Sequence, residues 1–479
     1  MAHNLNKLFY LHLFLCLAHV SCQGGGYNRE TAPSHIVISV SQSEITSKRG
    51  KAEIEMTISD FSNLDYLQID KETQYGWSSM KQSKSTIADT FTYEYLVKET
   101  DPESITLTFC GIDANGESSD KVSVHISNPK DLNTKSVTIS NLKCISRVTG
   151  NEDNGHDNLP PVLFSVQNRT DLKYDIGGTD LGIGWQIDER LFGFFFGDTF
   201  GKDFRPSVSG PGGSNWRSNV LLFSQDTVLN DGLRIDGAAM DGHGARQICY
   251  SAHITTGNGD YTSIPTAAVH ANGAEYVHYM NIKNWDGWVT NNSGLYKSKD
   301  NGQTWEKVNK VSFAGESNFG QAGYFKKDGI VYMIATKTGR DHSPYLARFA
   351  ETDIENTDEY EFWNGSGWIK GREATAQPLY SDPTGELSFA YMPLLDKWIL
   401  TYFSSVRYEI SLRYANNPEG PWSSPIQVAS GSDWPQLYGS FIHPLSTKSN
   451  KLYFIMSMWY PYNTYLMSLD LELTKKFSN

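Results

Sequence analysis

From Ile36 onward the chain runs in short segments that alternate apolar and polar residues, and no stretch holds a helical period long enough for an amphipathic helix. Ile36 to Val40, Ala52 to Ile58, Thr106 to Cys110 and Val122 to Ile126 all step with period two and carry many β-branched residues. Segments of this kind bury one face and expose the other, as strands do. Their succession predicts an immunoglobulin-like β-sandwich over residues 34–130. That stretch gathers no acids or histidines into a constellation, so it reads as a spacer or a weak glycan-binding module.

From about residue 140 to 479 the pattern stays β but becomes richer in Tyr, Phe and Trp, with Gly and Asn turns between strands such as Leu191 to Gly197, Gly329 to Ala335, Lys397 to Phe403 and Leu452 to Met458. The length suits a propeller of five blades, each of about 65–70 residues. One local motif supports this. Ser298-Lys-Asp300-Asn-Gly302-Gln-Thr304-Trp305 has the S-x-D-x-G-x-T-W spacing of the Asp box, a hairpin turn of sialidases and other propellers. Its carboxylate and hydroxyl bond turn amides, its glycine permits positive φ and its tryptophan packs beneath. The expected architecture is therefore all-β, a five-bladed β-propeller over 140–479 preceded by the sandwich.

The first residues read as a leader. Lys7 precedes the apolar run Leu8 to Ala18, too short to span a bilayer, and Ser21-Cys22 is followed by a glycine-rich tether over 23–33. This resembles a lipoprotein-type signal peptide over 1–22, with lipid carried on Cys22, although His19 stands where Leu is usual. The expected location is the bacterial cell envelope, lipid-anchored at the outer membrane or cell surface, or else secreted. A net charge of −13 argues against nucleic acid, whose phosphates demand Lys and Arg, and limits membrane contact to the lipid anchor. Beyond the leader, Cys110, Cys144 and Cys249 are an odd set that gives no disulfide framework; a Cys110–Cys144 pair across the module boundary is left open. No spacing resembles a zinc site and no ligand cluster stands out, so no metal or cofactor is expected, with a channel-bound Ca²⁺ left open.

Two acids carry the functional argument. Asp180 sits in Gly177-Gly-Thr-Asp180-Leu-Gly182, and Asp198 ends the almost wholly apolar run Leu191 to Gly197. A strand so apolar is buried on both faces and belongs near a propeller's central channel. An acid at its end either caps the strand or is a desolvated carboxyl with a raised pKa, as a general acid requires. Asp180 either shapes a Gly-rich turn or joins it. The segment Trp216-Arg217-Ser218-Asn219 offers an indole, a guanidinium fork and an amide, which suit a sugar and a water; it also suits a plain polar loop.

These residues together resemble the endo-D-arabinanases of glycoside hydrolase family 183. The resemblance rests on Thr179-Asp180-Leu181-Gly182, Gly197-Asp198-Thr199 and Arg217-Ser218-Asn219, then Ile264-Pro265-Thr266, the Trp285 to Trp288 segment, Gly385-Glu386, Gly420-Pro421-Trp422 and Met456 to Trp459. It covers about 155 to 475. It implies a five-bladed propeller that cleaves α-D-arabinofuranosidic linkages within D-arabinan, the chains of mycobacterial arabinogalactan and lipoarabinomannan, with inversion. It makes Asp180 and Asp198 the catalytic pair, taken here with Asp198 as acid and Asp180 as base, the exchanged roles being left open. Arg217, Asn219 and Glu386 become candidates for binding substrate or water, alongside Trp216. Tyr279 and Trp285 are candidate subsite aromatics, with Tyr276, Trp288, Tyr391 and Trp459 behind them. For each aromatic, a place in the core is the competing reading, since 13% of the chain is Phe, Trp or Tyr.

Other readings stay open at this level. A hydrolase of another furanoside, such as L-arabinan, needs the same pair. A surface-anchored glycan-binding protein needs no such pair. A sialidase needs an arginine triad, and Arg217, Arg340 and Arg413 do not sit in that family's motifs.

Overall fold

The computed structural model describes residues 35–47, 51–73, 76–97, 101–102, 104–128, 135–151, 162–207 and 210–475. The leader, Cys22 and the tether lie outside them, as does most of the segment joining the two modules. Among the described residues strands dominate, and the one α-helix is the single turn Thr170–Tyr174.

The N-terminal module holds two sheets. Val37–Val40, Lys51–Ser59 and Thr90–Leu96 form a three-stranded sheet. A five-stranded sheet is ordered Glu44–Thr46, Val122–Ser127, Ser104–Asp113, Leu64–Thr73 and Gly76–Ser83. The period-two sequence does what it predicts: Ala52, Ile54, Met56 and Ile58 point inward and meet Leu67, Ile69, Leu107 and Phe109 of the other sheet in one core. Leu96 and Arg372 tie this module to the next. Leu96 packs against the cluster holding Trp363 and Trp398, and the Arg372 guanidinium donates to Ser85 Oγ at 3.2 Å.

Besides the small two-stranded pair Met240–Asp241 and Gly244–Ala245, five further antiparallel sheets of four or five strands follow in chain order, here sheets I to V. Their first strands are Leu181–Gln186, Thr262–Ala271, Gln321–Lys327, Leu387–Met392 and Leu437–Ile442. Each first strand touches that of the next sheet, and the first strand of sheet V touches that of sheet I, so the five surround a common axis. Sheet V takes its outermost strand, Lys135–Arg147, from the start of this region, where it pairs with Asn463–Lys475. This strand straddles the expected boundary at 140.

The apolar run is the strand Phe192–Phe196, buried throughout as its sequence implies. It is second in sheet I, one strand away from the axis. Its faces serve two cores: Phe192, Phe194 and Phe196 join Leu222 and Ile455, whereas Phe195 joins Trp185 and Leu221. The Asp box forms the expected hairpin turn in sheet II. Asp300 Oδ1 accepts from Thr304 N at 2.8 Å, Ser298 Oγ accepts from Gly302 N at 3.0 Å, and Gly302 has φ +84°. Trp305 lies edge-on to Trp185 and Phe195, which locks sheet II to sheet I. Cys110, Cys144 and Cys249 are buried free thiols, so the Cys110–Cys144 bridge left open by the sequence is not formed.

Candidate active site

Asp180 immediately precedes the first strand of sheet I, and Asp198 lies just after the second. The two strands are antiparallel with Leu181 opposite Phe196, so the residue before one and the residues after the other share an end of the sheet. The local chain is bent to achieve this. Leu181 adopts φ +69° and Gly182 φ +112°, and the register shifts between Leu181 and Ile183 as in a bulge. A Cβ at Gly182 would overlap Ile455, so only glycine fits there. Beyond the strand ends, Gly178 bridges Phe200 and Thr199 bridges Arg217. These bridges bring the 214–219 segment alongside Asp198.

A cavity of about 800 Å³ opens here. Asp180, Ile264, Gln321, Glu386 and Tyr438 line it from the beginnings of the five first strands, so its floor is the axis itself. Its walls include Trp216, Trp285, Trp288 and Trp459. Trp285 and Trp288 meet edge to face at 5.1 Å, and Trp459 lies on the sheet V side, 39% exposed. Aromatic faces around a polar centre suit a sugar, whose C–H faces stack while its hydroxyls hydrogen-bond.

The two carboxylates are held differently. Asp198 Oδ1 accepts from Trp216 Nε1 at 2.7 Å and from Thr262 Oγ1 at 2.6 Å. Asp180 Oδ2 accepts from the Tyr438 hydroxyl at 2.8 Å, while its Oδ1 is buried with no hydrogen-bond partner. Both carboxyls are raised. Asp180 is pushed up to about 7, chiefly by burial and then by the Asp198 charge, with Glu386 adding to it and the hydroxyls of Tyr438 and Tyr462 opposing. Asp198 is pushed up to about 6 by burial, against its Thr262 and Trp216 donors.

Opposite them stands an ion pair. Arg340 Nη2 donates to Glu386 Oε1 at 2.6 Å and Arg340 Nε to the same carboxylate at 3.1 and 3.2 Å. The guanidinium lies among the rings of Trp288, Phe403 and Tyr438, 4.9–5.2 Å from their centroids. The same Tyr438 thus contacts Arg340 with its ring and Asp180 with its hydroxyl.

The structure therefore brings Asp180, Asp198, Trp216, Trp285 and Glu386 to one cavity, along with Trp288 and Trp459. Other expected residues are placed elsewhere. Arg217 donates to the carbonyls of Asn215, Asp175 and Ala245, so its guanidinium staples three backbone segments behind the site. Asn219 is wholly buried: its amide donates to the carbonyls of Cys249 and Ser263, and its oxygen accepts from the amides of Ile248 and Cys249. With every hydrogen-bonding position filled, it has none left for a water or a sugar. Tyr279 is 2% exposed and sits in the core edge-on to Tyr296. Tyr276 is buried with its hydroxyl on Glu355, and Tyr391 packs beside Trp398; neither lines the cavity. Trp216 does line it, but its indole N–H is engaged by Asp198. The sequence reading missed Thr262 and the tie of Tyr438 to Asp180, which lie 64 and 258 residues from the acids they hold.

The family model described as a domain of unknown function, DUF4185, matches residues 165–468. The notoamide biosynthesis cluster protein J of Aspergillus sp. (strain MF297-2) is 29% identical over 316 residues, which cover 62% of this chain and 84% of that one. Among solved structures, an endo-arabinase from Bacteroides thetaiotaomicron is 11% identical at TM-score 0.36, covering 64% of this chain and 98% of its own. The GH43_1 enzyme from Xanthomonas citri, complexed with xylotriose, is 9% identical at TM-score 0.37, covering 62% and 90%.

Proposed function

The chain belongs to the DUF4185 family, a domain of unknown function, and we propose that here it forms a five-bladed β-propeller that hydrolyses glycosidic bonds with Asp180 and Asp198. One observation carries this reading. Two carboxyl groups from neighbouring strands face one aromatic cavity, and both hold their protons above the usual carboxylate range, to about 7 and about 6. Near neutral pH such a pair offers one carboxyl that keeps its proton more readily than the other, which suits what glycoside hydrolysis needs: one acid for the leaving oxygen and one carboxylate for the water or the sugar carbon.

The local bonding suggests the division of labour. Two donors on Oδ1 favour the ionised form of Asp198. Asp180 is raised further than Asp198, by burial and by the neighbouring negative charge, which favours its protonated form. We therefore assign Asp180 as acid and Asp198 as base, the reverse of the order taken from the resemblance. Arg340 and Glu386 would bind sugar hydroxyls, and Trp285, Trp288 and Trp459 would carry neighbouring sugar units. The substrate we place first is D-arabinan, on the motif resemblance. From the leader pattern we also propose that the enzyme is exported and anchored through Cys22.

The test is product analysis after incubating the purified chain with mycobacterial arabinogalactan and, separately, with L-arabinan. We expect an oligosaccharide ladder from the first, lost in Asp180→Asn and Asp198→Asn. An aryl arabinofuranoside with a good leaving group should restore turnover to the acid variant only. Retention on the polymer without any product would replace this reading with that of a binding protein.

A further inference from the structure

We infer that His253 is a positioning residue for Asp198, acting through the indole of Trp216; this rests on the glycosidase reading of the acid pair. The Trp216 ring has two neighbours besides Asp198. The His253 imidazole lies on its face, 4.0 Å between centroids and 15° from parallel. Tyr261 meets it edge-on at 5.8 Å. The indole cannot rotate about its plane normal without breaking the Nε1–H bond to Asp198, and it cannot tilt without lifting the imidazole.

The imidazole is itself fixed. Its Nε2 lies 2.9 Å from Ser218 Oγ and 3.1 Å from Gln247 Oε1. An amide oxygen only accepts, so Nε2 carries the hydrogen. Ser218 N also donates to Gln247 Oε1, at 2.7 Å, which ties the imidazole's anchor to the segment that carries Trp216. His253 reaches this position in the left-handed region, φ +54°, which is uncommon for a residue other than glycine. What holds it is Asp260. That carboxylate accepts from Ser251 Oγ at 2.6 Å, Ala252 N at 3.1 Å and Asn281 Nδ2 at 2.7 Å, and the Asp260 carbonyl accepts from Ile254 N at 2.7 Å.

One short segment therefore builds the whole clamp. Residues 251–260 close a loop that presses His253 onto Trp216, Tyr261 supports the ring edge, and Thr262 donates its hydroxyl to the same Asp198 oxygen. Asp198 receives both its donors from groups this segment sets in place. Ser218, Gln247 and Asp260 are the polar and charged groups that face His253, and burial keeps the imidazole below its usual pKa, hence neutral. Its contribution is geometric: it keeps the indole N–H aimed at Oδ1 and so holds Asp198 in one rotamer, in its carboxylate form.

The experiment compares wild type with His253→Asn, which tolerates left-handed backbone but has no ring, and His253→Phe, which keeps a ring but not the N–H. In His253→Asn we expect kcat on the cleaved glycan to fall about tenfold or more, with KM within about twofold. The Asp198 carboxyl, followed by ¹³C NMR with Asp198→Asn as the assignment control, should titrate about one pH unit higher. His253→Phe should lie between the two. Wild-type kcat and an unchanged Asp198 titration in both variants would overturn the inference. If wild type cleaves no glycan, the glycosidase reading falls, and the Asp198 titration in the variants still decides whether the clamp exists.

Discussion

Gly197 makes room for Asp180: a Cβ at position 197 would stand inside the van der Waals envelope of Asp180 Oδ1. The backbone amide of Gly197 also donates to the Asp180 carbonyl at 3.2 Å, so the two residues are fixed against each other. Gly197→Ala should therefore turn the Asp180 carboxyl out of its place. We expect kcat to fall by about 10²-fold or more, because a displacement near 1 Å at a reacting group has that effect. The fold should survive with a loss of about 1–3 kcal/mol, as for other overpacked sites. Near-normal kcat in a folded Gly197→Ala protein would contradict the packing described here.

The raised Asp180 carboxyl has a consequence for stability. In the unfolded chain a carboxyl of this kind titrates near 3.9, whereas in the folded protein it titrates at about 7. Between those values the native state binds more protons than the unfolded one, so stability from this group is complete below about pH 4 and is lost as pH rises through about 7. Asp180→Asn removes the dependence. Its unfolding free energy and melting temperature should exceed those of wild type at pH 8 and approach them at pH 4, the free-energy difference being roughly 2–4 kcal/mol at pH 8. Thermal unfolding at the two pH values checks the sign, and a variant less stable than wild type at pH 8 would refute it.

Arg340 and Glu386 form a pair with little solvent on the carboxylate side, where the Glu386 side chain is 9% exposed. Removing one partner leaves the other charge stranded, at about 3–5 kcal/mol. Arg340→Ala should thus be strongly destabilising. Arg340→Met combined with Glu386→Gln should recover most of the loss in stability while leaving substrate binding weak. Denaturant titration of the three proteins tests this, and equal losses in the single and double variants would exclude the pair as the cause.

Asp300 gives the contrasting case. Its carboxylate accepts from Thr304 N and Thr304 Oγ1 in the sheet II turn, far along the strand from the acids. Asp300→Ala should cost about 1–2 kcal/mol in stability, with kcat unchanged. A large loss of turnover at full stability would show that this aspartate takes part in the chemistry.

The local parts of the structure are legible in the sequence. Period-two segments became strands within three residues of their expected ends, and the Asp box formed the hydrogen bonds its residue types dictate. Asp180 and Asp198 stood out because an acid beside a wholly apolar strand or within a glycine-rich turn is unusual. The reading failed where side-chain chemistry was inferred from neighbours in sequence. Trp216, Arg217 and Asn219 looked like one recognition cluster, but consecutive residues of an extended chain point to opposite faces. Trp216 faces the cavity and holds Asp198, whereas Arg217 and Asn219 turn inward to the backbone.

The sequence by itself determined the β periodicity, the turns and the left-handed glycines, because these follow from φ, ψ preferences and from the alternation of side chains along a strand. It also determined which residue types were available for catalysis. Only the tertiary structure decided what those residues became. Thr262 from sheet II and Tyr438 from sheet V reach the two acids of sheet I because the sheets circle a common axis. Burial, which raises both carboxyls, and the neighbouring charge that raises Asp180 further belong to that arrangement and not to either aspartate. A pKa measures the free energy of a charge in its surroundings, and the surroundings of Asp180 and Asp198 are assembled from segments far away in the chain.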